Sequence, residues 1–174
     1  STTTPSFKGT FDGNGHTIEI NVNTGTTKVY AHRMSVFPNA SNATFENLTI
    51  TGEIIGGDST ATFNSSSESW SYNSAYDIAG FVGKPFGPIT FKNCTNATNI
   101  QGLRLIAGFA GCSTGSAPIS LIGCVNKGNI TSFERANWTK SWYQNVGNEY
   151  DYDYGTGGLI AYASANVIIE SCLN

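Results

Sequence analysis

Short apolar runs rich in Ile, Val, Phe and Thr recur along the chain, each bounded by Gly, Asn or Pro. Runs of this length with β-branched and aromatic residues predict strands, and the bounding residues predict tight turns. No window keeps apolar residues at a 3.6-residue period over three turns, so the sequence predicts few helices.

The runs repeat. Thr44-Phe45-Glu46-Asn47-Leu48-Thr49-Ile50 aligns with Thr90-Phe91-Lys92-Asn93-Cys94-Thr95-Asn96, and both align with Ser120-Leu121-Ile122-Gly123-Cys124-Val125-Asn126. Ile168-Ile169-Glu170-Ser171-Cys172-Leu173-Asn174 is a further partial copy. A second run precedes three of these: Ile78-Ala79-Gly80-Phe81-Val82-Gly83, Ile106-Ala107-Gly108-Phe109-Ala110-Gly111 and Thr156-Gly157-Gly158-Leu159-Ile160-Ala161. Met34-Ser35-Val36-Phe37 takes that place in the first unit. Cys94 and Cys124 are 30 residues apart, Leu48 and Cys94 are 46 apart, and Cys124 and Cys172 are 48 apart. A unit of about 30 residues with two insertions accounts for all three spacings.

A unit of two or three short strands cannot bury its apolar face alone, so the units are expected to stack with their strands in parallel, as one solenoid domain over residues 1–174. Stacking predicts an inward column of Phe81, Phe109 and Leu159 and another of Leu48, Cys94, Cys124 and Cys172. Asn96, Asn126 and Asn174 fall into a third column, where side-chain amides can stack from unit to unit.

The pairing of Ala-Gly-Phe-Val-Gly or Gly-Gly-Leu-Ile-Ala-Tyr with a following Cys-x-Asn-x-Gly-x-Ile resembles the GLUG-type repeats of secreted and cell-surface proteins. Phe7-Lys8-Gly9-Thr10-Phe11-Asp12-Gly13-Asn14-Gly15-His16-Thr17-Ile18 resembles the segment that opens such arrays. The resemblance covers residues 7–55, 78–130 and 156–174, and it implies an all-β fold, a right-handed parallel β-helix. For function it implies surface or adhesive roles only in general terms.

Two insertions, residues 56–77 and 132–155, fall at the same point of the unit and are expected to project from one side. The first holds Phe63, Trp70, Tyr72 and Tyr76; the second holds Phe133, Trp138, Trp142, Tyr143, Tyr150, Tyr152 and Tyr154. Large rings with polar tips suit a contact surface for a neighbouring subunit or a sugar, and the competing reading is a lateral core folded onto the solenoid flank. The acidic residues Glu149, Asp151 and Asp153 lack the ligand spacing of a Ca²⁺ loop and read as a solvated face.

Composition narrows the function. Only 12% of residues are charged and the net charge is −3, with no basic stripe, which excludes a phosphate-neutralising surface and hence nucleic acid as a partner. No run of about 18 apolar residues exists, so membrane insertion by a helix is not expected. Sugar-cleaving chemistry needs two carboxylates over one groove. Glu46 and Glu170 share a column, but Lys92 and Ile122 separate them, and no other carboxylates match on successive units. His16 reads as a turn residue, and Arg33, Arg104 and Arg135 occur in unrelated contexts. With no nucleophile elbow and no metal-ligand spacing, no catalytic residue, metal or cofactor is expected.

Eight Asn-x-Ser/Thr sequons begin at Asn39, Asn42, Asn47, Asn64, Asn93, Asn96, Asn129 and Asn137. They point to a secreted or cell-surface glycoprotein. Asn47 and Asn93 neighbour an inward column and are expected to face outward; Asn39, Asn42, Asn64 and Asn137 are expected in accessible turns or insertions, and Asn129 is also an expected acceptor. Asn96, in the amide column, is expected to be a poor acceptor. The four cysteines read as buried thiols, with a bridge between neighbouring units of the column as the alternative and Cys112 as its candidate partner or the odd thiol.

The chain reaches Cys172 in mid-unit without a polar cap, which fits either a piece of a longer protein or a subunit whose ends pair. The expectation is an extracellular structural glycoprotein that assembles with itself, head to tail or laterally, into a filament or surface layer. The alternative is an adhesin module binding glycans through the aromatic insertions, and a polysaccharide lyase or hydrolase ranks below both.

Overall fold

In a computed structural model, the chain is described over residues 5–24, 33–64, 66, 69–74, 77–102, 105–113, 116–132 and 156–174. Among these residues there is no helix, and the fold is all-β with parallel sheets. The opening segment forms β1 (Phe7–Asp12) and β2 (Thr17–Asn23). The first full unit forms β3 (Phe37–Glu46) and β4 (Thr49–Ile55), followed by β5 (Gly57–Asn64) and β6 (Ser69–Ser74). The next unit supplies β7 (Ile78–Ala79), β8 (Val82–Pro85), β9 (Ile89–Lys92) and β10 (Thr95–Gly102). Another supplies β11 (Ile106–Ala107), β12 (Ala110–Ser113), β13 (Ile119–Ile122), β14 (Val125–Asn126) and β15 (Ile130–Ser132). The last supplies β16 (Thr156–Gly157), β17 (Ile160–Ala163) and β18 (Val167–Glu170).

Strand pairing follows the sequence alignment. β13 lies between β9 and β18, with Leu121 paired to Phe91 on one side and to Ile169 on the other. β11 lies between β7 and β16, and Ile106 pairs with both Ile78 and Thr156. β3 is long enough to pair twice, first with β8 and then with β9, because Phe86-Gly87-Pro88 interrupts the facing strand. Asn42 takes a φ of 50° within β3, a left-handed conformation that asparagine tolerates better than most residues.

The same tolerance builds one corner of every unit. Asn47, Asn93, Gly123 and Ser171 follow the register positions of Glu46, Lys92, Ile122 and Glu170, and all four have positive φ, from 50° to 62°. Two of the sequon asparagines therefore also serve as turn residues.

Alternation along the strands puts phenylalanine inside. Phe81 stacks on Phe109 with centroids 4.8 Å apart and planes 11° from parallel, and Phe45 stacks on Phe91 at 5.5 Å. Phe91 meets Phe81 and Phe109 edge-on, which joins the two stacks into one core with Leu48, Ile50, Leu121, Cys94 and Cys124. Leu159 and Cys172 pack against that core. A second buried cluster holds Met34, Ile54, Ile78, Ile100 and Ile106.

The first insertion forms paired strands. β5 and β6 pair antiparallel, the only antiparallel pair among the described residues, and the register sets Phe63 opposite Trp70 and Ala61 opposite Tyr72. Tyr76 and all of the aromatic residues named in the second insertion lie outside the described residues, as do Arg104, Arg135, Glu149, Asp151, Asp153 and Asn137.

Candidate functional site: an asparagine ladder and the edge where it ends

The asparagine column is a directed chain of hydrogen bonds. Asn96 Nδ2 donates to Asn126 Oδ1 at 2.7 Å, and Asn126 Nδ2 donates to Asn174 Oδ1 at 2.9 Å. Each amide also turns back to the chain just beyond it: Asn96 Nδ2 donates to Thr98 O at 3.5 Å and Asn126 Nδ2 to Gly128 O at 3.2 Å. Asn96 is fully buried and its Oδ1 has no partner, so one end of the ladder carries an unpaired acceptor where Ile50 occupies the register position in place of asparagine.

Glycine makes room for this ladder from the opposite wall. A Cβ added at Gly80 would collide with Asn96 Oδ1, one at Gly108 would lie 2.7 Å from Asn126 Oδ1, and one at Gly158 would collide with the Asn174 amide. Gly80 N donates to Gly108 O, and Gly108 N to Gly158 O, so the three glycines are themselves a backbone-bonded row. In the first unit the row holds Ser35, whose Oγ accepts from Gly83 N at 3.0 Å, and Ile50 stands at the register position of Asn96. Glycine and asparagine therefore occur together, and serine and isoleucine replace them together.

The thiol column lies beside the ladder. Cys94, Cys124 and Cys172 are unbridged, and Cys172 Sγ accepts from Cys124 N at 3.3 Å. The hydrogen bond to Cys94 and burial push the Cys124 thiol well above the ordinary thiol range, so it stays protonated at neutral pH. Among the described residues, no group of three or more His, Cys, Asp or Glu side chains comes together to hold a metal.

Carboxylates do meet at one place that the alignment overlooks. Asp12 and Glu46 pair in register on β1 and β3, followed in the same row by Lys92, Ile122 and Glu170. The expectation that no further carboxylates match on successive units is corrected here, because the opening segment is itself a stacked strand. Asp12 accepts from Asn14 N at 2.8 Å and from Asn47 Nδ2 at 3.1 Å, and these bonds hold its pKa below the usual carboxylate range. It is thus a turn-fixing anion rather than a proton donor. His16 closes the same turn, donating from its backbone N to Gly13 O.

Acceptor asparagines sort by exposure. Asn42, Asn93 and Asn129 are exposed and Asn47 is half-buried. Asn96 is enclosed, with its Nδ2 engaged in the ladder. The expectation of an accessible Asn39 is overturned: Asn39 is 4% exposed in β3, accepts from Arg33 Nη1 at 2.8 Å and donates to Pro5 O at 3.2 Å. Arg33 also pairs through Nε with Asp77 Oδ2 at 3.1 Å and lies over the Phe86 ring, so it clamps three segments together. Asn64 lies in β5.

The ladder ends on an apolar edge. Val167 and Ile169 are 39% and 51% exposed, whereas Ile119 and Leu121, their partners on β13, are fully buried. Outward positions change character in the same unit. The row Thr10, Thr44, Thr90, Ser120 ends at Ile168, and the row Thr17, Thr49, Thr95, Val125 ends at Leu173; both end residues are exposed. Leu159, Ile160, Tyr162, Val167, Ile169 and Asn174 line an open hollow along this edge.

Compared with family models, with curated proteins and with solved structures, the chain gives no match. Among the described residues, no helix is long and apolar enough to cross a membrane.

Proposed function

We propose that the chain is an extracellular structural glycoprotein, a right-handed parallel β-helix that assembles with itself into a filament or surface layer. The observation that carries the reading is the in-register parallel stacking of successive units, in which Leu121 pairs with Phe91 on one side and with Ile169 on the other, so that each unit offers the next the same kind of strand edge. Unpaired strand edges combined with exposed apolar side chains favour strand addition, because a docked strand satisfies backbone groups and removes apolar area from water together. The exposed sequon asparagines Asn42, Asn93 and Asn129 support the glycoprotein part of the reading.

Expression through a eukaryotic secretory pathway, followed by glycopeptide mapping and sedimentation, tests it. Glycan at Asn93 together with assemblies larger than a monomer, which Ile169→Asp disperses, is the expected result. An aglycosylated monomer at high concentration, unchanged by that substitution, overturns it.

A second reading, a glycan-binding adhesin module, draws on the β5–β6 register that sets Phe63 opposite Trp70 and Ala61 opposite Tyr72. A glycan array separates the two, since selective binding lost in Trp70→Ala belongs to the adhesin alone.

A further inference from the structure

Among the described side chains, Phe86 is the one aromatic group that stays exposed, at 52%. It belongs to an inner unit, in the Phe86-Gly87-Pro88 interruption between β8 and β9. Ala40 pairs with Pro85 and Ala43 with Ile89, so Ser41 and Asn42 of β3 face a segment one residue longer, which bulges. Backbone bonds fix the bulge at both ends. Phe86 N donates to Ala40 O at 2.8 Å, and Ala43 N donates to Pro88 O at 3.1 Å. Arg33 and Lys84 set their cations 5.2 Å and 5.7 Å from the centre of the Phe86 ring, which anchors the ring at the surface.

Asn42 stands across from this bulge. It begins the sequon Asn42-Ala43-Thr44 and is exposed, and its φ of 50° departs from the regular alternation of β3. A Cβ built on Gly87 would lie 3.5 Å from Asn42 Nδ2, the atom that an N-linked sugar joins, and 2.6 Å from Ser41 Oγ. Glycine at 87 therefore leaves open the space beside that nitrogen, and the residue before it carries the exposed ring. Among the described residues, Asn42 Nδ2 donates to Ser41 Oγ alone, at 3.3 Å. A glycosylated amide keeps one N–H, so the modification spares this bond.

Building on the glycoprotein reading, we infer that Asn42 carries an N-linked glycan whose first N-acetylglucosamine packs its C–H face on the Phe86 ring. One face of a pyranose ring presents C–H bonds, which suit the electron-rich face of an aromatic ring while the hydroxyls stay in water. The contact removes apolar area of ring and sugar from water together. A ring exposed merely as the partner of two cations would be indifferent to the sugar.

The test uses the full chain secreted from eukaryotic cells, in four forms: parent, Phe86→Ala, Thr44→Ala and both substitutions combined. Thr44→Ala removes the sequon without touching Asn42, so it removes the sugar and keeps the turn. Glycopeptide mapping is expected to find glycan at Asn42 in the two forms that retain Thr44. In the parent, nuclear Overhauser contacts should join the Phe86 ring protons to the first sugar. The urea midpoint should fall more on Thr44→Ala in the parent than in the Phe86→Ala background, and the same cycle in protein made without glycan should be additive. A bare Asn42 beside a glycosylated Asn93, a sugar without contacts to Phe86, or additivity in both preparations overturns the inference and leaves the glycoprotein reading standing. Glycan at no sequon removes both.

Discussion

Asn96 and Asn126 are 30 residues apart in sequence, and Asn96 Nδ2 donates to Asn126 Oδ1 across 2.7 Å. This single bond reports the repeat length, the parallel pairing and the inward direction of both side chains at once. It also commits Asn96, whose side chain is fully buried, to a partner that only the next unit can supply.

Replacing Asn126 with Leu is therefore expected to destabilise the fold by roughly 1–3 kcal/mol, because Asn96 Nδ2 loses its short bond in a buried site and keeps only Thr98 O at 3.5 Å. Urea unfolding monitored by far-UV circular dichroism measures this. A loss below about 0.5 kcal/mol sinks the claim that the ladder contributes to stability.

Gly80→Ala is expected to cost about 1–3 kcal/mol by overpacking, since its Cβ meets Asn96 Oδ1 and lies 2.7 Å from Gly108 O. The first unit suggests the remedy. Gly80→Ser combined with Asn96→Ile imports the residues that stand at these two row positions in the first unit, and the double variant should lose less stability than the two single variants summed. Strict additivity in the double-mutant cycle would show that the two positions do not communicate.

Glycan occupancy should divide the sequons by burial. After secretion from eukaryotic cells, Asn93 is expected to carry glycan, while Asn39 and Asn96 remain bare in the folded product. Enzymatic deglycosylation in heavy-oxygen water, read by mass spectrometry, marks each occupied site. Full occupancy at Asn39 contradicts its bonds to Arg33 and Pro5.

Asp12 makes stability depend on acid. Its folded pKa is depressed, first by the Asn14 backbone N–H and then by Asn47. Its contribution is thus fully present above the ordinary carboxylate pKa of about 3.9 and is lost as pH falls through the lower folded value. Asp12→Asn should remove this part of the acid dependence and leave the neutral-pH fold in place. An unchanged slope of stability against pH below about 4 in the variant counts against the assignment.

Thiol reactivity should follow the column. Cys94 and Cys124 are fully buried and Cys172 is half-buried, so an alkylating reagent at neutral pH is expected to modify Cys172 first in the native protein. The raised pKa of Cys124 slows its modification further. Peptide mapping after timed quenching tells the order, and Cys124 reacting before Cys172 refutes it.

Much of this was legible before any coordinates. Strand alternation has a period of two, so once Phe81 aligned with Phe109 and Cys94 with Cys124, their inward direction and their neighbours followed. The Asn96, Asn126 and Asn174 column was visible for the same reason, as was the enclosure of Asn96. The exposed Asn93 also followed, being one residue out of phase with Cys94.

Relationships across the unit were not legible, because alternation says which side of a strand a residue takes and nothing about what stands on the facing wall. That Gly80 opposes Asn96, or that Arg33 reaches Asp77 and Asn39, depends on how far the chain travels between corners. Asn39 is expected in an accessible turn or insertion, yet β3 runs straight through it and through Pro38. The opening segment shares too few residues with the later units for the Asp12 and Glu46 pairing to show in the sequence, and it is the ladder between β1 and β3 that sets it. Sequence by itself determined the rows, since each row is a local period repeated; tertiary structure alone decided which rows face each other, since that is set by the closure of backbone hydrogen bonds over tens of residues.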